Sequence, residues 1–258
     1  MMRTDLPLVL ALAAKANAFL GGSDARMEVL AGHPAFARLH ELTFMRQTGL
    51  GGELVGEGSL PWFRRLKKEG VALVRPVLTG MRLDKGADTP WGLLTDGDRG
   101  LELWSPVISL RFNGHSDQQP LRLMMNSGRF DRWSIKPLPA VHEASELLRT
   151  ALEGAKTQLE QGAQSVAANA VGKFLSLHMM ESPDCSGELA CLAPDVEPCS
   201  IPLFASAVRC LTLLETTGWL SASDETARTF AEPLWVATRT ALETSVLSAH
   251  LRESVPSA

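Results

Sequence analysis

Pro90 to Trp133, PWGLLTDGDRGLELWSPVISLRFNGHSDQQPLRLMMNSGRFDRW, is the stretch whose reading decides the fold. Two apolar runs, Trp91 to Thr95 and Leu101 to Asn113, are separated by Asp96-Gly97-Asp98-Arg99-Gly100, which has the composition of a hairpin loop. Across the polar Gly114 to Gln119 turn, Val107 to Asn113 can pair with Leu121 to Ser127, and Arg129 to Ile135 supplies a last strand. Val71 to Leu78 is rich in β-branched residues and reads as a further strand, held to an edge or bulge by Pro76, which has no N–H for a ladder. The expectation is an antiparallel sheet of about four to six strands.

Helices flank this sheet in the sequence. Thr4 or Asp5 can cap a first helix with Pro7 in its opening turn, and Leu8, Leu12 and Phe19 follow helical spacing up to Gly21-Gly22. The apolar run Leu6 to Ala14, followed by Ala16-Asn17-Ala18, also has the outline of a signal peptide and its cleavage site. Arg3 and Asp5 leave its leading segment without net positive charge, which favours an amphipathic first helix. A second helix is expected over Pro34 to Gln47, with Phe36, Leu39, Thr43 and Arg46 on successive turns. Gly49 to Gly58 then reads as a glycine-rich loop, since it has neither the Gly-x-Gly-x-x-Gly order of a dinucleotide site nor the Lys-Ser/Thr ending of a P-loop.

Beyond Pro139 the period becomes helical. Val141, Ala144, Leu148, Ala151, Ala155 and Leu159 form a stripe, with Glu143, Glu146, Glu153 and Glu160 off it. Further helices are expected around Gln164 to Met180, Leu203 to Thr216 and Asp224 to Arg252, the last kinked or split at Pro233. The predicted class is therefore α+β: an N-terminal mixed helix and antiparallel-sheet region over residues 1–136, followed by a C-terminal acidic helical bundle over 137–258. Charge divides at the same place. The first region carries 18 Lys/Arg against 14 Asp/Glu, a net of +4, and the second 7 against 15, a net of −8. A basic half suits a polyanion and an acidic half suits solvent or a protein partner.

No apolar run reaches the roughly 18 residues that a membrane-spanning helix needs, so a soluble, cytoplasmic protein without a membrane partner is expected. Cys185, Cys191, Cys199 and Cys210 are spaced too widely for the paired knuckles of a zinc site. The histidines are scattered, and Asp96 and Asp98 belong to a turn. With no nucleophile motif such as Gly-x-Ser-x-Gly and no His-Glu-x-x-His, a non-enzyme without cofactor or metal is expected. An enzyme using His33, His40 and Asp96 or Asp98 is the weaker reading.

The chemistry that does stand out is basic. Pro61-Trp62-Phe63-Arg64-Arg65-Leu66-Lys67-Lys68 places four cations beside two aromatics, a composition for phosphate contact with base stacking. The same pattern describes a solvated helix face with Trp62, Phe63 and Leu66 packed inward, which is the favoured reading. On the expected strands, Arg111, Arg122, Arg129 and Arg132 recur among apolar neighbours, as on a sheet with one basic face.

Trp91-Gly92-Leu93-Leu94-Thr95, then Trp104-Ser105-Pro106-Val107-Ile108-Ser109, then an apolar strand ending in Arg129, resembles the central part of the large-subunit-like protein of type IV CRISPR effector complexes. The likeness spans about forty residues and departs from that family in having no cysteine before Cys185, where the family carries a four-cysteine zinc site. What the resemblance implies is a non-catalytic subunit of an antiviral, crRNA-guided ribonucleoprotein. Such a subunit contacts guide RNA and target-flanking DNA and packs on neighbouring protein subunits. Arg64, Arg65, Lys67, Lys68, Arg111, Arg122, Arg129 and Arg132 would then face nucleic acid. The competing expectation is a stand-alone helical regulatory or adaptor protein that uses its bundle grooves to bind a peptide or small molecule.

Overall fold

A computed structural model describes residues 6–22, 43–47, 54–78, 91–98, 100–107, 122–126, 138–161, 192, 196–217 and 225–251. The fold is α+β, and the chain forms two compact units, Met1–Ile135 with Ala190–Pro194, and Lys136–Leu189 with Asp195–Ala258.

The first unit contains, in chain order, α1 (Leu6–Leu20), β1 (Thr43–Gln47), β2 (Leu54–Gly58), α2 (Ser59–Lys68), β3 (Val74–Leu78), β4 (Trp91–Gly97), β5 (Gly100–Val107) and β6 (Arg122–Asn126). The strands make one six-stranded sheet in the order β2-β1-β6-β5-β4-β3. The expected hairpin is present: β4 and β5 pair antiparallel with Leu93 opposite Trp104 and Gly97 opposite Gly100. Strand β6 pairs antiparallel with β5, Val107 opposite Arg122. Pro76 lies on β3, which is an edge strand, where a missing donor costs least.

Four expectations are corrected by the structure. The sheet is not wholly antiparallel, because β1 runs parallel to β6, with Phe44 opposite Leu123. Residues 43–47, expected to end a helix over Pro34 to Gln47, form β1, and 54–58, expected as part of the glycine loop, form β2. The helical stripe assumed there included Thr43 and Arg46, which gave it no continuous apolar face, while paired strands bury Phe44 completely. Finally, α1 is not amphipathic. Residues 9–14 and 16–18 are all buried, which at 3.6 residues per turn covers every side of the helix.

One polar residue inside α1 explains how it is held. Asn17 is buried, and its side chain replaces a strand neighbour for β3: Nδ2 donates to the Val74 carbonyl at 2.9 Å, and Oδ1 accepts from the Val74 N–H at 2.7 Å. Both edge groups of Val74 are thereby satisfied by one amide side chain.

Helix α2 follows Gly58 with Pro61 in its first turn, where a missing N–H removes no helical bond. It ends in a Schellman cap. Gly70, at φ +70°, lets the Val71 N–H reach the Leu66 carbonyl at 3.0 Å and its own N–H reach that of Lys67 at 3.3 Å. Val71 and Leu66 are both buried, giving the apolar contact that accompanies this cap. The β4–β5 hairpin docks on the same terminus: the Asp98 N–H donates to the Glu69 carbonyl at 2.8 Å. A side chain at Gly97 would put its Cβ 2.6 Å from that carbonyl oxygen, so only glycine admits the approach. Gly70→Ala combines left-handed backbone with a Cβ 2.9 Å from an Asp98 carboxylate oxygen. It is expected to cost about 1–2 kcal/mol in a denaturant melt, against a gain of about 0.5–1 kcal/mol for Gly154→Ala, which lies inside the Val141–Gln161 helix and meets nothing within 4 Å.

The second unit contains α3 (Val141–Gln161), α4 (Ser200–Thr217) and α5 (Glu225–Leu251). On α3 the expected stripe is buried at Ala144, Leu148 and Ala155 and half-buried at Val141 and Ala151, while Glu143, Glu146 and Glu153 are exposed. Its start is closed by Glu143, whose carboxylate accepts from the Ala140 N–H at 3.0 Å. Helix α5 packs against both α3 and α4 and runs unbroken through Pro233. Leu203, Phe204, Val208, Leu211 and Leu214 of α4, with Leu234, Leu242 and Leu247 of α5, are buried core, and Ala207, Ala231 and Ala241 keep the backbones close. Among the described residues, no helix is long and apolar enough to cross a membrane.

Candidate functional site

Helix α2 sorts the basic stretch into two faces. Trp62, Phe63 and Leu66 are buried, and they enter an aromatic cluster contributed by four elements. Phe44 stacks on Trp62 at 4.1 Å with ring planes 6° apart, Trp104 meets Trp62 edge-on at 5.4 Å and 78°, and Phe19 lies 5.8 Å from Phe63. Trp104 is oriented by its own indole N–H, which donates to Thr95 Oγ1 at 3.2 Å. Both aromatics of the stretch are thus core, and neither is available to stack on a base. The favoured inward-packing reading holds for them.

Arg64, Lys67 and Lys68 are exposed on the other side of the helix. The Lys67 ammonium also lies 5.7 Å from the Phe19 ring centroid, a contact that leaves its outer hemisphere in water. Arg65 behaves differently. Its Nε donates to Glu57 Oε1 at 2.6 Å and its Nη1 to Glu69 Oε2 at 3.2 Å, and its guanidinium lies 5.1 Å from the Trp104 ring centroid. With 18% of its side chain exposed, Arg65 is a structural clasp between β2 and α2. Three basic residues in the last turn also complement the negative end of the helix dipole, so the cations contribute to helix stability as well as to surface charge.

Of the strand arginines, Arg122 opens β6, in register with Thr43 of β1 and Val107 of β5. Arg111, Arg129 and Arg132 lie outside the described residues, as do His33, His40, Cys185 and Cys191. Asp98 is exposed in the β4–β5 turn, against Gly70, as expected, whereas Asp96, also exposed, lies in strand β4 opposite Leu101 and not in the turn. Among the described residues no group of three or more His, Cys, Asp or Glu side chains is placed to hold a metal ion.

Cys199 is exposed and Cys210 buried. Burial pushes the Cys210 thiol up to about 12, against smaller opposing effects of Thr238 and Arg209. In the unfolded chain the thiol ionises at its ordinary pKa, so its contribution to stability is complete below pH 9 and is lost as pH rises from there toward 12. Thermal melts of wild type are therefore expected to fall more steeply above pH 9 than those of Cys210→Ala, with the difference between the two narrowing as pH rises.

A second feature belongs to the helical unit alone. Between α3 and α5 lies an open groove of about 920 Å³, floored by Leu147, Ala151, Pro233 and Val236 and edged by Glu143, Glu146 and Glu232. Leu147 is 52% exposed and Val236 44%, two of the four exposed large apolar side chains among the described residues. The sequence pattern hid this groove because Leu147 lies one residue off the buried stripe, on a helix side that period alone assigns to solvent. Asn17 and Glu57 were likewise invisible as partners, since each acts on a residue brought near by the fold, whereas Glu69 follows Arg65 at the i,i+4 spacing of a helix.

Comparison with protein-family models, curated proteins and solved structures finds no match to this chain.

Proposed function

We propose that this chain is a non-catalytic, nucleic-acid-contacting subunit of a protein–nucleic acid particle, with Arg64, Lys67 and Lys68 of α2 as its phosphate contacts. The observation that carries this reading is the pairing of three exposed cations with a helix whose opposite face packs into the aromatic cluster and whose end is bonded through the Schellman cap and the β4–β5 hairpin. Rigid presentation matters because a cation held in place loses less freedom on meeting a phosphate. The +4 charge of residues 1–136, against −8 for the remainder, gives the same end of the chain a long-range bias toward polyanions.

In finer terms, the proposed particle is a crRNA-guided type IV CRISPR effector, in which the subunit contacts guide RNA and target-flanking DNA and packs on neighbouring subunits. Support for this is the likeness of Trp91 to Thr95 and Trp104 to Ser109, of which Trp91 to Thr95 fall on β4 and Trp104 to Val107 on β5. Arg122 remains a proposed contact through β6. Arg65 drops out of the proposed contact set, because its guanidinium is held by Glu57 and Glu69 and is mostly buried.

The test is a binding titration with labelled single-stranded RNA and a short DNA duplex. Arg64→Ala/Lys67→Ala/Lys68→Ala is expected to weaken binding at least about tenfold at low salt, with only a small fall in melting temperature, because all three side chains are exposed and exposed cations at a helix end contribute little. Equal binding by wild type and the triple variant would remove α2 as the interface.

A further inference from the structure

We infer that the groove between α3 and α5 is a docking site for a basic amphipathic helix of a partner protein. The inference goes beyond nucleic-acid contact, and it rests on the shape, lining and charge of the second unit alone.

Shape decides against a small molecule. The α3 residues lining the groove run from His142 to Gln158, recurring at spacings of three and four. At 1.5 Å per residue the α3 wall is about 24 Å long, the length of a helix of about 16 residues, and the α5 wall, from Glu232 to Thr240, faces about 12 Å of it. Small-molecule sites enclose most of their ligand, whereas this trough is open along its length and matches the way a helix lays one stripe between two others. Its floor supplies the apolar half of the recognition. Leu147 and Val236 stand half in solvent from facing helices, at positions where a helix crossing between α3 and α5 would cover both.

Charge selects the class of helix. Glu143, Glu146 and Glu232 edge the groove, and no Lys or Arg is found among the described residues that line it. Arg149, just outside the lining, is already held by Glu146 at 2.6 Å and Glu153 at 2.8 Å. This arrangement attracts lysines or arginines flanking an apolar stripe and repels an acidic helix, and the −8 charge of residues 137–258 adds the same preference at longer range.

The experiment uses the full chain and two labelled helical peptides of about 16 residues, each with a leucine stripe, one flanked by lysines and the other by glutamates, read by fluorescence anisotropy. The lysine peptide is expected to bind at least about tenfold tighter than the glutamate peptide. Leu147→Ser/Val236→Ser should lower its affinity about tenfold, and Glu143→Gln/Glu146→Gln/Glu232→Gln should lower it and flatten its salt dependence. Glutamine at 143 can still accept from the Ala140 N–H, so the cap survives. Unchanged affinity in the serine pair, or equal binding of the two peptides, would overturn the inference. So would a wild-type dimer in sedimentation that the serine pair returns to monomer, since the occupant would then be a second copy. No nucleic acid enters this assay, so its outcome is separate from that of the α2 proposal.

Discussion

Trp62→Ala is expected to lower the free energy of unfolding by about 3–5 kcal/mol, the range for deleting a large aromatic from a packed core. Trp62 is fully buried and touches the ring systems of Phe44, Phe63 and Trp104, which come from β1, α2 and β5. Its removal therefore opens one cavity shared by the helix and two non-adjacent strands, and the surrounding rings cannot all close on it at once. Trp62→Phe sharpens the test. It keeps a ring stacked on Phe44, and it removes an indole N–H that, among the described residues, has no hydrogen-bond partner. The cost of that variant is expected to be about 1–2 kcal/mol. Urea melts followed by circular dichroism measure both. A loss below about 1 kcal/mol for Trp62→Ala would mean that α2 is not seated on the sheet.

Asn17→Ala is expected to cost about 2–4 kcal/mol, because it strands two buried backbone groups of Val74 instead of one. Asn17→Asp is the discriminating variant. It has the same shape, yet at neutral pH it sets a carboxylate oxygen where Nδ2 donated to the Val74 carbonyl, and so replaces a hydrogen bond by repulsion while burying a charge. It should be at least as destabilising as alanine near pH 7 and should recover partly in acid, when protonation restores a donor. Hydrogen exchange at the Val74 amide separates the two: local protection is lost in Asn17→Ala, which removes its acceptor, and is kept in Asn17→Asp, whose carboxylate still accepts from that N–H.

Much of this architecture is legible from residue order. Apolar runs on either side of Asp96-Gly97-Asp98-Arg99-Gly100 locate β4 and β5, β-branched residues and Pro76 locate β3 at an edge, and a three-four stripe locates α3. These elements are legible because local pattern and tertiary burial agree. The strands β1 and β2 were not, since Thr43 to Gln47 shows no clean alternation and two glycines dilute Leu54 to Gly58. Their pairing, and β1 running parallel to β6, depend on partners distant in sequence. For the site, sequence separates Trp62, Phe63 and Leu66 from Arg64, Lys67 and Lys68 by helical phase. It does not separate Arg65 from the other cations, because that depends on Glu57 arriving from β2.

The distinction between Arg65 and its neighbours is also where the functional account is most exposed. Each phosphate neutralised on single-stranded RNA contributes about 0.7 to the slope of log affinity against log salt concentration. That slope, measured for wild type, for Arg64→Ala/Lys67→Ala/Lys68→Ala and for Arg65→Ala, tests the proposal directly. The account predicts a slope flatter by about 2 in the triple variant and a wild-type slope in Arg65→Ala, whose loss falls on stability instead. A triple variant with the wild-type slope would contradict it.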